Sequence, residues 1–153
     1  MDDNLRAAVE RLVAIEEIRQ LKARYFRFVD TKKWDEFAGL FTDDLKIDFE
    51  ESTSKPLTKD QFVASAERHF TGAMSVHHGH VPEIEIIDAE HARGIWPMFD
   101  LVETPPESSY DSHTGWGHYT EEYRKVDGKW LISRTRLSRL KRVVLDKQPS
   151  PTS

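Results

Sequence analysis

Cysteine is absent from the 153-residue chain, which excludes disulfides, thiol catalysis and cysteine-ligated metal sites. No apolar run approaches membrane-spanning length, and the N-terminal MDDNLRAAVER has no apolar signal core. A cytoplasmic protein without a membrane partner is the expectation. Positive charge is not in excess either: the formal net charge is -5, which argues against a nucleic-acid partner. The one basic run, RTRLSRLKR at 134–142, reads as a solvated strand edge. Nucleophile elbow, P-loop and dinucleotide fingerprint are all missing. With 38% hydrophobic and 32% charged residues, the composition is that of one folded domain with a single core.

Periodicity supplies the elements. Leu5, Val9, Leu12, Ile15, Ile18, Leu21, Tyr25 and Phe28 recur at steps of three and four, predicting an amphipathic helix over 4–29. A second, short helix follows with Trp34, Phe37, Leu40 and Phe41 on its apolar side and Asp30 or Thr31 as N-cap. Leu45, Ile47 and Phe49 alternate with charged residues as in a strand, and Thr58 with Gln61 has capping-box spacing ahead of a third helix. Strands are then expected over 75–87, 91–103, 115–126 and 129–143. The last two are joined at Asp127-Gly128, a two-residue hairpin signal. The stretch 103–115 is a loop by composition, with His113 and His118 at its rim or on the surface. This order predicts an α+β fold, one domain over 1–145 with a flexible tail at 146–153, in which a long helix lies across a curved antiparallel sheet and encloses a pocket.

Several polar residues sit where apolar ones are expected. Tyr25 lies in the helix stripe, pointing inward, and its hydroxyl needs a partner there. Asp30 falls at the helix C-terminus, where the macrodipole disfavours negative charge; it caps the next helix, serves the site, or both. Asp100 is the charged residue of IWPMFDLV at 95–102, and a buried carboxylate there requires a partner. Pro97 in the same strand implies an edge or a bulge. SVHHGHVPEIEI at 75–86 holds three histidines. In a regular strand His77 faces away from His78 and His80, so the three cannot converge on a metal. One histidine with Asp100 would make a metal-free proton shuttle. Counting back from Ile84 and Ile86 selects His78 and His80 as inward, unless Pro82 interrupts the strand.

IEEIRQLKARYFRFVDTKKWDEFAGLFTDD, together with SVHHGHVPEIEI, ARGIWPMFD and YRKVDGKWLI, resembles the SnoaL-like branch of the NTF2-like superfamily over about residues 5–143. Within it the chain is most similar to the bacterial bile-acid 7α-dehydratases and more distantly to scytalone dehydratases. The resemblance implies a cone-shaped NTF2-like fold and a cofactor-independent hydro-lyase without a metal. Its site would comprise Tyr25, Asp30, His77, Asp100 and Arg139, with His77 rather than His78 or His80 in the pocket. A His77–Asp100 dyad would move the proton, Tyr25 supported by Asp30 would polarise a carbonyl, and Arg139 would hold Asp30 or a polar substrate group. The implied substrate is a small hydrophobic, cyclic hydroxy-ketone or steroid-like molecule. The implied assembly is a homo-oligomer, dimer or trimer, joined through the outer sheet face. Pro97, Phe99 and the 103–115 loop depart from the family pattern, so steroid specificity is not implied. An isomerase of the ketosteroid type or another lyase would use the same groups, and a noncatalytic binding domain is the alternative outside enzymes.

Overall fold

The apolar stripe of the first helix is longer than the surface available to cover it. In the computed structural model, which describes residues 2–49 and 56–147, α1 runs Asp3–Asp30, capped by the Asp2 carboxylate on the Asn4 and Leu5 amides. Ile18, Leu21, Tyr25, Phe28 and Val29 are buried, whereas Leu5, Val9 and Leu12 of the same stripe are exposed. The second helix, α2 at Trp34–Ala38, has Lys33 rather than Asp30 or Thr31 at its N-cap position and no side-chain cap. Lys32 takes a left-handed backbone conformation (φ 61°), and this turn carries the cap position past Asp30 and releases its side chain.

β1 (Phe41–Phe49) precedes α3 (Lys59–Phe70), whose N-terminus is a reciprocal capping box between Thr58 and Gln61. The remaining chain gives β2 (Met74–Gly79), β3 (Glu83–Ile86), β4 (His91–Glu103), β5 (Ser112–Val126) and β6 (Lys129–Leu145). The sheet order is β1-β6-β5-β4-β2, with β3 also on β4. All pairings are antiparallel except β1 with β6, which is parallel. Asp127 (φ 50°) and Gly128 (φ 79°) form the hairpin turn, both in the left-handed region that this loop type demands.

Three expectations change. The strand foreseen over 75–87 is two strands, broken at His80–Pro82. Pro97 occupies neither an edge nor a bulge but the place where β4 exchanges partners, β3 ending at Ile95 and β2 beginning at Met98. A residue without an N–H loses nothing there, and its carbonyl still accepts from the His80 amide at 2.8 Å. The basic run belongs to β6, an interior strand with β1 on one side and β5 on the other, so part of it faces inward. Residues 148–153 of the expected tail lie outside the described residues. The core fills the space between α1, α3 and the concave face of the sheet, with Ile18, Phe37, Phe41, Trp96, Tyr123 and Ile132 at its centre.

Candidate active site

Asp30 ends α1 and meets β2 side on. Its carboxylate accepts the His77 backbone N–H at 2.8 Å and the Ser75 hydroxyl at 2.9 Å, and it lies 2.7 Å from His77 Nδ1. Lys32 Nζ donates to Ser75 Oγ at 2.9 Å and so fixes the direction of the Ser75 hydroxyl. Strand alternation in β2 buries Ser75 and His77 and exposes His78 and His80. The count carried back from Ile84 and Ile86 fails because the strand is interrupted at Pro82. With Nδ1 on Asp30, His77 presents Nε2 to the cavity that its ring lines.

The expected His77–Asp100 pairing is therefore replaced by His77–Asp30. The two residues are register partners across β2 and β4, but the Asp100 carboxylate is already taken. Arg139 Nη1 and Nη2 bind its two oxygens at 2.8 Å each, and His113 Nε2 lies 3.3 Å from Oδ2. Burial pushes the Asp100 carboxyl up, yet the hydrogen bonds from Arg139 and His113 and the guanidinium charge outweigh it. The group is held well below the ordinary carboxylate range. Arg139 accordingly holds Asp100, not Asp30. Gly115 makes this possible: a Cβ there would overlap both Arg139 Nη1 and Asp100 Oδ1. His113 is buried, not a rim residue, because GWG at 115–117 lies within β5 instead of a loop.

Tyr25 is buried and lines the same cavity, as does Tyr119 from β5. Burial, and after it the Glu121 carboxylate, push the Tyr25 hydroxyl far above its ordinary value, while a hydrogen bond with Tyr119 pulls the other way. Both hydroxyls therefore stay protonated and able to donate. Beneath them lies a polar network that periodicity did not reveal. Lys22 Nζ sits 3.7 Å from the centroids of both the Tyr25 and Tyr119 rings and 2.8 Å from Glu121 Oε2. Glu121 also accepts from Thr135 Oγ1 at 2.7 Å and Tyr123 Oη at 2.9 Å, and Tyr123 Oη accepts from Trp96 Nε1 at 2.8 Å. Lys22 and Glu121 are completely buried, and burial lowers the Lys22 pKa against the opposing pull of Glu121. The signal was available: Lys22 falls between Ile18 and Tyr25 on the apolar face, and Glu121 shares the inward parity of Tyr119 and Tyr123.

Tyr25, Tyr119, His77, Asp100, His113 and Arg139 line one cavity of about 540 Å³, within the usual range for small-molecule sites. Phe37, Phe49, Leu57, Phe62 and Leu137 supply an apolar wall, and His77, Asp100, Arg139 and Tyr25 the polar end. A histidine oriented by a carboxylate can take and return a proton, and protonated tyrosines can stabilise a developing oxyanion. Among the described residues no three metal-ligating side chains converge.

The sequence profile of the SnoaL-like domain matches residues 10–136. The chain is 26% identical over 133 residues to "Probable cyclase FGR4" of Gibberella zeae, covering 80% of this chain and 89% of that one. Among solved structures it is similar to a candidate scytalone dehydratase from Novosphingobium aromaticivorans, with a TM-score of 0.80 at 18% identity over 95% and 99% of the two chains. A hexachlorocyclohexane dehydrochlorinase, LinA type 3, from Novosphingobium barchaimii gives a TM-score of 0.76 at 18% identity over 95% and 99%. At such identity the structural likenesses establish the fold.

Proposed function

For a chain that belongs to the SnoaL-like domain family, with its NTF2-like fold, we propose a cofactor-independent dehydratase acting on a hydrophobic, cyclic hydroxy-ketone. The observation that carries this reading is the His77–Asp30 contact at 2.7 Å at the wall of a cavity that also holds two protonated tyrosines. In the proposed reaction, His77 Nε2 removes a proton from the carbon beside the ketone, and Asp30 steadies the resulting imidazolium. The electron pair moves onto the carbonyl oxygen, where the Tyr25 hydroxyl, backed by Tyr119, donates to the enolate. Collapse of the enolate breaks the adjacent C–O bond, and the departing hydroxyl takes the proton back from His77 to leave as water. Arg139, its charge balanced by Asp100, orients the leaving oxygen. A single group serves as base and then acid, so abstraction and departure take place on one face of the ring. The names of two similarly folded structures, a candidate scytalone dehydratase and a hexachlorocyclohexane dehydrochlorinase, are in keeping with elimination as the reaction class.

The test is turnover of a panel of cyclic β-hydroxy-ketones, steroidal ones included, followed by mass spectrometry. The expected product is the conjugated enone, lighter by one water. His77→Ala should reduce turnover by about 10²- to 10⁴-fold, and full activity in that variant would sink the assignment. A product of unchanged mass would identify an isomerase instead, and no chemistry on any member of the panel would favour a binding domain. The same reading includes a homo-oligomer joined through the outer sheet face, where Ile95, Trp116 and Leu140 are exposed. Light scattering should report more than one chain, and Trp116→Glu should lower that number.

A further inference from the structure

Among the described residues, the cavity is lined by one cation that the proposed reaction does not use. Arg142 stands on β6 three residues beyond Arg139, and its side chain lines the same cavity while remaining 32% exposed. Its two polar contacts are weak. Nη2 lies 3.4 Å from His113 Nδ1 and 4.0 Å from the carboxylate of Asp111, itself more than half exposed. Each other charge nearby is committed. Arg139 is bound by both oxygens of Asp100, and Asp30 is bound by His77 and Ser75. His113 offers Arg142 a ring nitrogen and no negative charge. His69, on the same cavity, packs against Tyr110 with ring centroids 4.2 Å apart and the planes tilted by 37°. Burial first, then the neighbouring His113 and Arg142, lower the His69 pKa, so this imidazole is neutral at pH 7 and is available as a hydrogen-bond donor. Among the described residues, the guanidinium of Arg142 has no carboxylate within hydrogen-bonding distance, its ion pair with Asp111 being stretched to 4.0 Å, in a cavity also lined by Phe37, Phe49 and Phe62.

We propose that the substrate is a hydrophobic ring compound carrying an anionic group, a carboxylate in the simplest case, which Arg142 binds while the ring lies against Phe37, Phe49 and Phe62. This inference rests on the cavity being the substrate site and adds the class of molecule that fills it. The planar guanidinium suits a carboxylate through two parallel hydrogen bonds. Asp111 competes only from the solvent side, where its charge is screened. The anion would anchor the end of the substrate remote from the apolar wall and orient the ring between it and His77.

Calorimetric titration with 1-naphthoate and with its neutral isostere 1-naphthamide tests this without requiring turnover. The wild-type protein should bind naphthoate about 5- to 20-fold more tightly than the amide, the size of a charge-assisted hydrogen bond at a partly exposed site. Arg142→Met should abolish the preference, Arg142→Lys should keep part of it, and Asp111→Asn should increase it. Added salt should weaken naphthoate and leave naphthamide unchanged, a readout independent of whether any variant folds. Equal affinities in the wild type, a preference retained in Arg142→Met, or no binding of either ligand would each overturn the proposal. A protein that prefers naphthoate but dehydrates no hydroxy-ketone would keep this inference and lose the dehydratase reading. A dehydratase indifferent to the charge would do the reverse.

Discussion

Asp100 shows how one residue can be buried and ionised at once. Its folded pKa is depressed by Arg139 and His113, so the unfolded chain binds the proton more readily. The stabilisation is complete above the ordinary carboxylate pKa and is lost as pH falls through the folded value. Asp100→Asn should therefore flatten the acid limb of the stability curve as well as lower stability at neutral pH. Urea titrations from neutral pH down to the acid range measure both, and an unaltered acid limb would refute the coupling. Lys22 and Glu121 make the complementary case. Both are completely buried, and removing one charge strands the other. Lys22→Met or Glu121→Leu alone should cost about 3–5 kcal/mol, whereas the two together should recover most of it. A double-mutant cycle by chemical denaturation gives the coupling, and additive losses would show that the pair is not interacting.

At the scale of elements, local chemistry was legible and pairing was not. The Thr58–Gln61 capping box and the Asp127-Gly128 hairpin each follow from residues a few positions apart, and both stand in the structure as read. Thr58→Ala should cost about 1 kcal/mol, measurable in a thermal melt. The parallel contact of β1 with β6 joins segments some ninety residues apart, and no local signal announces it. The same limit explains the site. The resemblance groups Tyr25, Asp30, His77, Asp100 and Arg139; Tyr25, His77, Asp100 and Arg139 line one cavity, but the carboxylates pair as Asp30 with His77 and Asp100 with Arg139, not as the expected His77–Asp100 dyad. Register places His77 opposite Asp100, and it is the turn at Lys32 and the guanidinium from β6 that redistribute the hydrogen bonds. His113 was missed because GWG reads as a loop; a Cβ at Gly117 would overlap the Ser138 carbonyl, so these glycines serve close strand contact instead of a turn. Within α1, Leu5, Val9 and Leu12 are exposed while Ile18, Leu21 and Val29 are buried. Amide hydrogen exchange should accordingly be much faster before about Ile15 than after it. Uniform protection along the helix would mean that another chain covers its first half.

At the scale of the molecule, helices and sheet share one core, whose buried residues come from α1, α2, α3 and four of the six strands, with Ile84 and Ile86 of β3 packed against it. Unfolding followed by near-ultraviolet and far-ultraviolet circular dichroism should give coincident transitions; separate midpoints would show that part of the sheet is held independently. The division of one long edge strand into β2 and β3 has a consequence of another kind. A sheet that ends in an uninterrupted strand offers a template on which a second sheet can grow. Here the margin is interrupted at His80–Pro82, its later piece is four residues long, and Glu83 and Glu85 stand exposed along it. Such a margin resists edge-to-edge association. The same break that upsets the parity carried back from Ile84 and Ile86 thus helps keep the chain from polymerising through its sheet.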